Sequence, residues 1–166
     1  MKIFCDDGST NVKLAWFEND NITTSLSTNS FRKGWKVEGL GSNPTYNYEL
    51  EGQKFTFDEV SNEAIKTTHI EYQYSDVNVL AVHHALLKSG IPPQEVSLTV
   101  TLPISEFYTP DCQKNELAIQ RKIDNLMRPV CSGQLKLATV LEFFRYWFSD
   151  SFGGNPPLYS CGLTSL

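Results

Sequence analysis

One stretch of this 166-residue chain concentrates the residue types that handle a phosphorylated ligand: Phe4-Cys5-Asp6-Asp7-Gly8-Ser9-Thr10-Asn11-Val12-Lys13. An apolar run ends in two acids, passes through Gly-Ser-Thr-Asn, and resumes as a second apolar run containing a lysine. Folded as strand, turn and strand, it sets a carboxylate, a glycine backbone, two hydroxyls and an ammonium at one bend. A triphosphate with its Mg²⁺ needs that set: oxygen ligands or ordered waters for the hard cation, N–H donors and positive charge for the phosphates. Asp-Gly is equally an ordinary hairpin turn, so these residues by themselves leave both readings open. Adjacent strand residues face opposite sides, which argues against Asp6 and Asp7 as a general acid/base pair. One of them goes to the cation and the other to a backbone or surface role.

Other reactive residue types carry less. His83 and His84 are neighbours on a helix and face different ways, so a structural role outweighs metal binding. The four cysteines (Cys5, Cys112, Cys131, Cys161) are scattered, with no C-x-x-C pair and no His at ligand spacing. Reduced thiols are the expectation, rather than structural zinc or a disulfide framework. Trp16 and Trp35 read as core or partly buried aromatics.

The elements that must position the early turn follow from periodicity. Lys2 to Cys5, Val12 to Phe17 and Ile22 to Leu26 read as three strands of a meander, antiparallel at that edge. Tyr46 to Leu50 and Lys54 to Phe57 alternate around Glu51-Gly52-Gln53, a hairpin set apart from the main sheet. Val77 to Ser89 is a helix, capped by Ser75 or Asp76 and stopped by Gly90-Ile91-Pro92-Pro93. Two apolar stripes on it imply that most of the helix is buried. Val96 to Leu102 is a β-branched strand ending at Pro103, and Asn115 to Met127 a second helix. On that helix Ile119, Ile123 and Leu126 are expected inward, Arg121 and Lys122 outward. Meander, helix and strand together make an α/β domain with a mixed sheet and flanking helices.

Composition narrows the function. Charged residues at 20% and hydrophobic residues at 40% belong to a globular domain, and this length buries a real core. A formal net charge of −5 argues against direct binding to a nucleic-acid backbone. No apolar run approaches a membrane span, and the first residues lack the basic region and apolar core of a signal peptide, so the expected location is cytoplasmic.

Further strings carry a resemblance. Asp6-Asp7-Gly8-Ser9-Thr10-Asn11-Val12-Lys13-Leu14 is followed by Asn29-Ser30-Phe31 and by Gln73-Tyr74-Ser75-Asp76-Val77-Asn78-Val79. Then come Ala81-Val82-His83-His84-Ala85-Leu86-Leu87 and Thr101-Leu102-Pro103. Across residues 1–130 the chain resembles the ParM/StbA family of actin-like plasmid segregation proteins, the string from Gln73 to Leu87 being far more specific than the turn. The resemblance implies an actin-like, ribonuclease H-like N-terminal lobe of an ATPase that polymerises with ATP and pushes plasmid copies apart. It implies ATP and Mg²⁺ as cofactors, other ParM subunits as filament partners, and a plasmid-bound adaptor protein. Asp6 would hold Mg²⁺ through water, Gly8, Ser9, Thr10 and Asn11 would form the first phosphate loop, and Lys13 would reach the phosphates. No residue is assigned a catalytic role.

Two departures shape the expectation. The family's second phosphate loop, Asp-x-Gly-Gly-Thr, has no counterpart; Gly153-Gly154-Asn155-Pro156 lacks both the acid and the threonine. From residue 131 the composition changes, with four charged residues (Lys136, Glu142, Arg145, Asp150), the block Phe143-Phe144-Arg145-Tyr146-Trp147-Phe148 and a Gly/Pro coil. Residues 131–166 therefore read as an atypical tail, a frameshifted or truncated continuation more simply than a partner-binding patch. Phosphoryl transfer depends on positioning around the whole nucleotide, so the expectation is weak or no ATP binding by this chain alone and no meaningful hydrolysis. The alternative role is a non-catalytic fragment that binds or caps filament subunits. A sugar kinase of the same superfold is disfavoured by the Gln73–Leu87 string.

Overall fold

Alternation of apolar and polar residues decides the first three strands: β1 (Lys2–Asp7), β2 (Asn11–Glu18) and β3 (Asn21–Thr28) form an antiparallel meander. In the computed structural model, which describes residues 1–36, 45–59, 61–92 and 94–133 and the backbone of Tyr146–Trp147, Ile3, Cys5 and Asp7 point into the core. Lys2, Phe4 and Asp6 point out. The β2–β3 turn takes left-handed backbone at Asn19 and Asp20 (φ 49° and 62°), residue types that tolerate it, and this matches the strand twist.

After β3 the chain leaves the sheet. Strands β4 (Phe31–Lys33), β5 (Tyr46–Leu50) and β6 (Gln53–Phe57) build a second, small antiparallel sheet. A 3₁₀ turn over Ile70–Tyr74 leads into helix α1 (Asp76–Lys88), with Ser75 as its N-cap: the Ser75 Oγ accepts from the Asn78 N–H. Gly90, at φ 80°, ends the helix, a backbone that L side chains rarely adopt. Strand β7 (Val96–Val100) returns parallel to β1. Short helix α2 (Ile104–Phe107), helix α3 (Glu116–Leu126) and strand β8 (Cys131–Gly133) follow, β8 pairing with β5. The two-residue strand β9 (Tyr146–Trp147) lies parallel to β7. The main sheet thus runs β3-β2-β1-β7-β9 and the small one β4-β6-β5-β8. This is the mixed α/β arrangement expected, with β1 at the point where antiparallel and parallel pairing meet.

Helix α1 is buried from Val77 through Leu86. It packs on β1, β2 and β3 on one side, while His84 meets the small sheet on another, stacked on Phe57 at 3.9 Å and edge-on to Phe31, Tyr46 and Tyr48. A helix covered on several sides needs apolar residues nearly all round. His83 and His84 both sit in this core, in keeping with a structural role, and His84 Nδ1 is 2.6 Å from the Tyr48 hydroxyl. Trp16 is buried; Trp35 is 39% exposed, its Nε1–H donating to the Tyr48 carbonyl.

The face of α3 differs from expectation. Lys122, expected outward, is buried, and the inward stripe is Ala118, Lys122, Asn125 and Leu126, with Ile119 and Ile123 only half-buried. The cause is Asp7. The same alternation that sends Ile3 and Cys5 inward sends this acid inward too, and a buried carboxylate requires a partner. The backbone or surface role expected for the second acid is therefore wrong for Asp7. Most of the atypical tail, from residue 134, lies outside the described residues.

Candidate functional site

The hairpin between β1 and β2 gathers the residues singled out for phosphate chemistry. Asp6 and Lys13 are direct cross-strand partners, so their side chains leave the sheet on the same face. The Lys13 Nζ donates to Asp6 Oδ2 at 2.8 Å, with both side chains at least half exposed. Such a pair contributes little to stability, and its charges remain open to an incoming ligand. Between them Gly8 and Ser9 are half-buried and Thr10 is exposed. A Cβ on Gly8 would lie 3.2 Å from the Asn11 carbonyl oxygen, so glycine is what lets the turn close this tightly.

The turn is tied down from below by Asn29, at the end of β3. Its Nδ2 donates to the carbonyls of Gly8 (2.7 Å) and Ser9 (3.1 Å) and to the Tyr72 hydroxyl oxygen (2.7 Å), while its backbone N–H donates to the Thr10 carbonyl (2.9 Å). Three successive carbonyls are thus drawn to one residue. Peptide units are planar and none here is cis, so the N–H across each plane, on Ser9, Thr10 and Asn11, points the opposite way. These N–H groups lie on the side of the turn away from Asn29, and with Lys13 they are the donors the hairpin can offer an anion.

Directly behind the turn lies a buried polar cluster. Lys122 Nζ pairs with Asp7 Oδ2 and donates to Gln73 Oε1 (2.7 Å), Asn78 Oδ1 (2.8 Å) and the Gln73 carbonyl (3.1 Å). Asp7 also accepts from Asn78 Nδ2 (2.7 Å) and, at 3.4 Å, from the Thr101 hydroxyl at the end of β7. Burial pushes the Lys122 ammonium below its ordinary pKa, and the Asp7 carboxylate beside it opposes that shift. Burial pushes the Cys5 thiol well up, which leaves it a core residue rather than a nucleophile. The cluster joins β1, α1, α3 and the 3₁₀ turn at one point.

The donor set fits one side of a Mg²⁺–nucleotide. A hard cation could take the exposed Asp6 carboxylate, and phosphates could take Lys13 and the backbone N–H groups of the turn. Asp6, Gly8, Ser9, Thr10, Asn11 and Lys13 all lie on this one hairpin. The roles of Asn29, Tyr72, Asp7 and Lys122 were not foreseen. A signal for Asp7 existed in the in-phase series Ile3, Cys5, Asp7, which places an acid on the core face.

The family model described as plasmid segregation protein ParM, N-terminal, matches residues 1–142. No curated protein matches in sequence. Among solved structures, AlfA from a B. subtilis plasmid, in its filament, aligns with a TM-score of 0.54 at 14% identity, over 79% of this chain and 49% of that one. An AlfA filament bound to AMPPNP aligns with a TM-score of 0.54 at 15% identity, over 80% and 48%. Ta0583, an archaeal actin homologue, gives 0.56 at 14% identity, over 89% and 43%. At such identities the likeness is one of fold, and the chain spans under half the length of each of these structures.

Proposed function

The chain belongs to the family of the N-terminal region of the plasmid segregation protein ParM, and on that premise we propose that it supplies one side of an ATP site in a filament-forming segregation protein. The β1–β2 hairpin is the phosphate and cation side. Lys13 neutralises phosphate charge, the N–H groups of Ser9, Thr10 and Asn11 bind phosphate oxygens, and Asp6 holds hydrated Mg²⁺. The bound cation lowers the charge on the phosphates; the hairpin's part is to bind and orient them. The observation that supports this is the anchoring of the Gly8, Ser9 and Thr10 carbonyls on Asn29, which leaves their peptide N–H groups on the other side of the turn, beside the Asp6–Lys13 pair, 2.8 Å across the hairpin.

The site is half built in these 166 residues. Phosphoryl transfer needs donors around the whole triphosphate and exclusion of water, and the sequence holds no second Asp-x-Gly-Gly-Thr loop. The chain alone therefore binds ATP weakly and does not turn it over. Its partners are other subunits in a filament and a plasmid-bound adaptor protein in the cytoplasm; the net charge of −5 disfavours direct contact with DNA. No helix among the described residues is long and apolar enough to cross a membrane.

Two measurements test the reading. Isothermal titration of the chain with ATP and Mg²⁺ is expected to give no tight binding; a submicromolar, Mg²⁺-dependent isotherm contradicts the half-site. Light scattering of an intact ParM assembling with ATP, with this chain added, separates subunit-like behaviour from none. Co-assembly supports the filament role, inhibition supports the non-catalytic role of capping subunits, and an unchanged trace refutes both.

A further inference from the structure

Among the described residues Asn29 is the one that touches three consecutive carbonyls of the hairpin turn, and nothing in the proposed phosphate chemistry yet uses it. We infer that Asn29 is the positioning residue of that turn: by drawing the Gly8, Ser9 and Thr10 carbonyls toward β3 it holds the Ser9, Thr10 and Asn11 N–H groups outward for a phosphate. The inference rests on the phosphate reading above and deepens it.

The geometry is selective for an amide. Only an N–H₂ can face the Gly8 and Ser9 carbonyls together, so the side chain is fixed with Nδ2 toward the turn. The cost of that orientation is visible, since the Asn29 Oδ1 is buried with no hydrogen-bond partner among the described residues. Asn29 is itself braced. Tyr72, 1% exposed, offers its hydroxyl oxygen to Nδ2, and the Tyr72 carbonyl accepts from the N–H and Oγ of Ser75, the N-cap of α1. Burial pushes the Tyr72 hydroxyl well above its ordinary pKa, so it stays protonated and neutral. A chain of contacts therefore runs from the turn through Asn29 and Tyr72 to the start of α1. An anion bound at the turn meets donors already aimed, rather than donors it must order.

A purely structural Asn29 would tie β3 to the turn and affect stability alone. A positioning Asn29 sets the order of the turn and its response to phosphate. The test is NMR on the ¹⁵N-labelled chain, comparing wild type with Asn29→Ala, Asn29→Asp and Tyr72→Phe. In Asn29→Ala the Ser9–Asn11 amides are expected to fall from order parameters of about 0.85 to below about 0.6. Shifts of the same amides with Mg-ATP should then need about tenfold more ligand. Asn29→Asp, which sets a carboxylate against the turn carbonyls, loses more; Tyr72→Phe, which keeps the amide but removes its brace, loses less than Asn29→Ala. Unchanged shifts along β2 and β3 show that the fold is intact, and should Asn29→Asp fail that check, Asn29→Ala decides. Wild-type order and a wild-type Mg-ATP response in Asn29→Ala overturn the inference. A wild-type chain with no Mg-ATP response at the turn overturns the phosphate reading, while the order parameters still decide whether Asn29 holds the turn.

Discussion

Replacing Lys122 with methionine probes the buried ion pair between α3 and β1. The substitution keeps a long unbranched stem on α3 and removes the charge, in a site where the Lys122 side chain is 1% exposed and that of Asp7 is fully buried. Asp7 is left with Asn78 Nδ2 at 2.7 Å and a long bond to Thr101, and Gln73 Oε1 and Asn78 Oδ1 lose their ammonium donor. Removing one partner of a buried pair costs about 3–5 kcal/mol, because the remaining charge stays uncompensated. Domains of this kind are stable by about 5–15 kcal/mol in total, so the variant folds with a much reduced margin. Urea unfolding, followed by fluorescence of buried Trp16, should show the midpoint lowered by about 2 M at unchanged slope. The double variant Asp7→Asn/Lys122→Met, which leaves no lone charge, should lose clearly less than the sum of the two single variants, by about 2 kcal/mol or more. A midpoint shift below about 0.5 M, or strict additivity, would refute the view that this pair anchors α3 to β1.

Three further outcomes follow from the same contacts. Burial lowers His83 to about 4 and His84 to about 3, so both are neutral in the fold while the unfolded chain protonates near 6.5. Stability is then fully present above pH 6.5 and falls as the pH drops toward those folded values, by about 2 kcal/mol per histidine at pH 5; thermal melts from pH 7.5 to 5 check this, and a flat profile contradicts it. Lys13→Ala should change stability by under about 1 kcal/mol, because the Asp6 pair is exposed, yet abolish Mg-ATP shifts at the turn. Gly8→Ala should destabilise by about 1 kcal/mol, since its Cβ would press on the Asn11 carbonyl oxygen, and should move the Ser9–Asn11 amide resonances; an unperturbed turn would count against its tight closure.

Much of the fold was legible because its signals are local. The helix from Asp76 to Lys88 carries its own cap at Ser75 and its own stop at Gly90, and α3 is bounded by Asn115 and Met127 as periodicity and capping dictate. Strand alternation put Asp6 and Asp7 on opposite faces but left open which of them stands beside Lys13; the pairing across the hairpin answers with Asp6. What escaped depends on contacts far apart in sequence. Nothing near Lys122 indicates that Asp7, on a strand at the other end of the domain, will draw it inward, and helical amphipathicity alone argues that a lysine faces water. The three-residue strands β4 and β8 are too short for a period-2 pattern and exist because β6 and β5 offer them edges. Asn29 carries no local signal for its contacts, and only the folded hairpin brings the Gly8 and Ser9 carbonyls to its amide.

The phosphate and cation assignment is tested most directly with Mn²⁺ standing in for Mg²⁺. In the presence of ATP, paramagnetic broadening of the ¹⁵N-labelled chain should centre on Asp6 and reach the Gly8–Asn11 and Lys13 amides. It should weaken sharply without nucleotide and vanish there in Asp6→Asn. Broadening that ignores ATP, or that centres on other surface acids while the hairpin stays sharp, would contradict the assignment of this turn as one side of a nucleotide site.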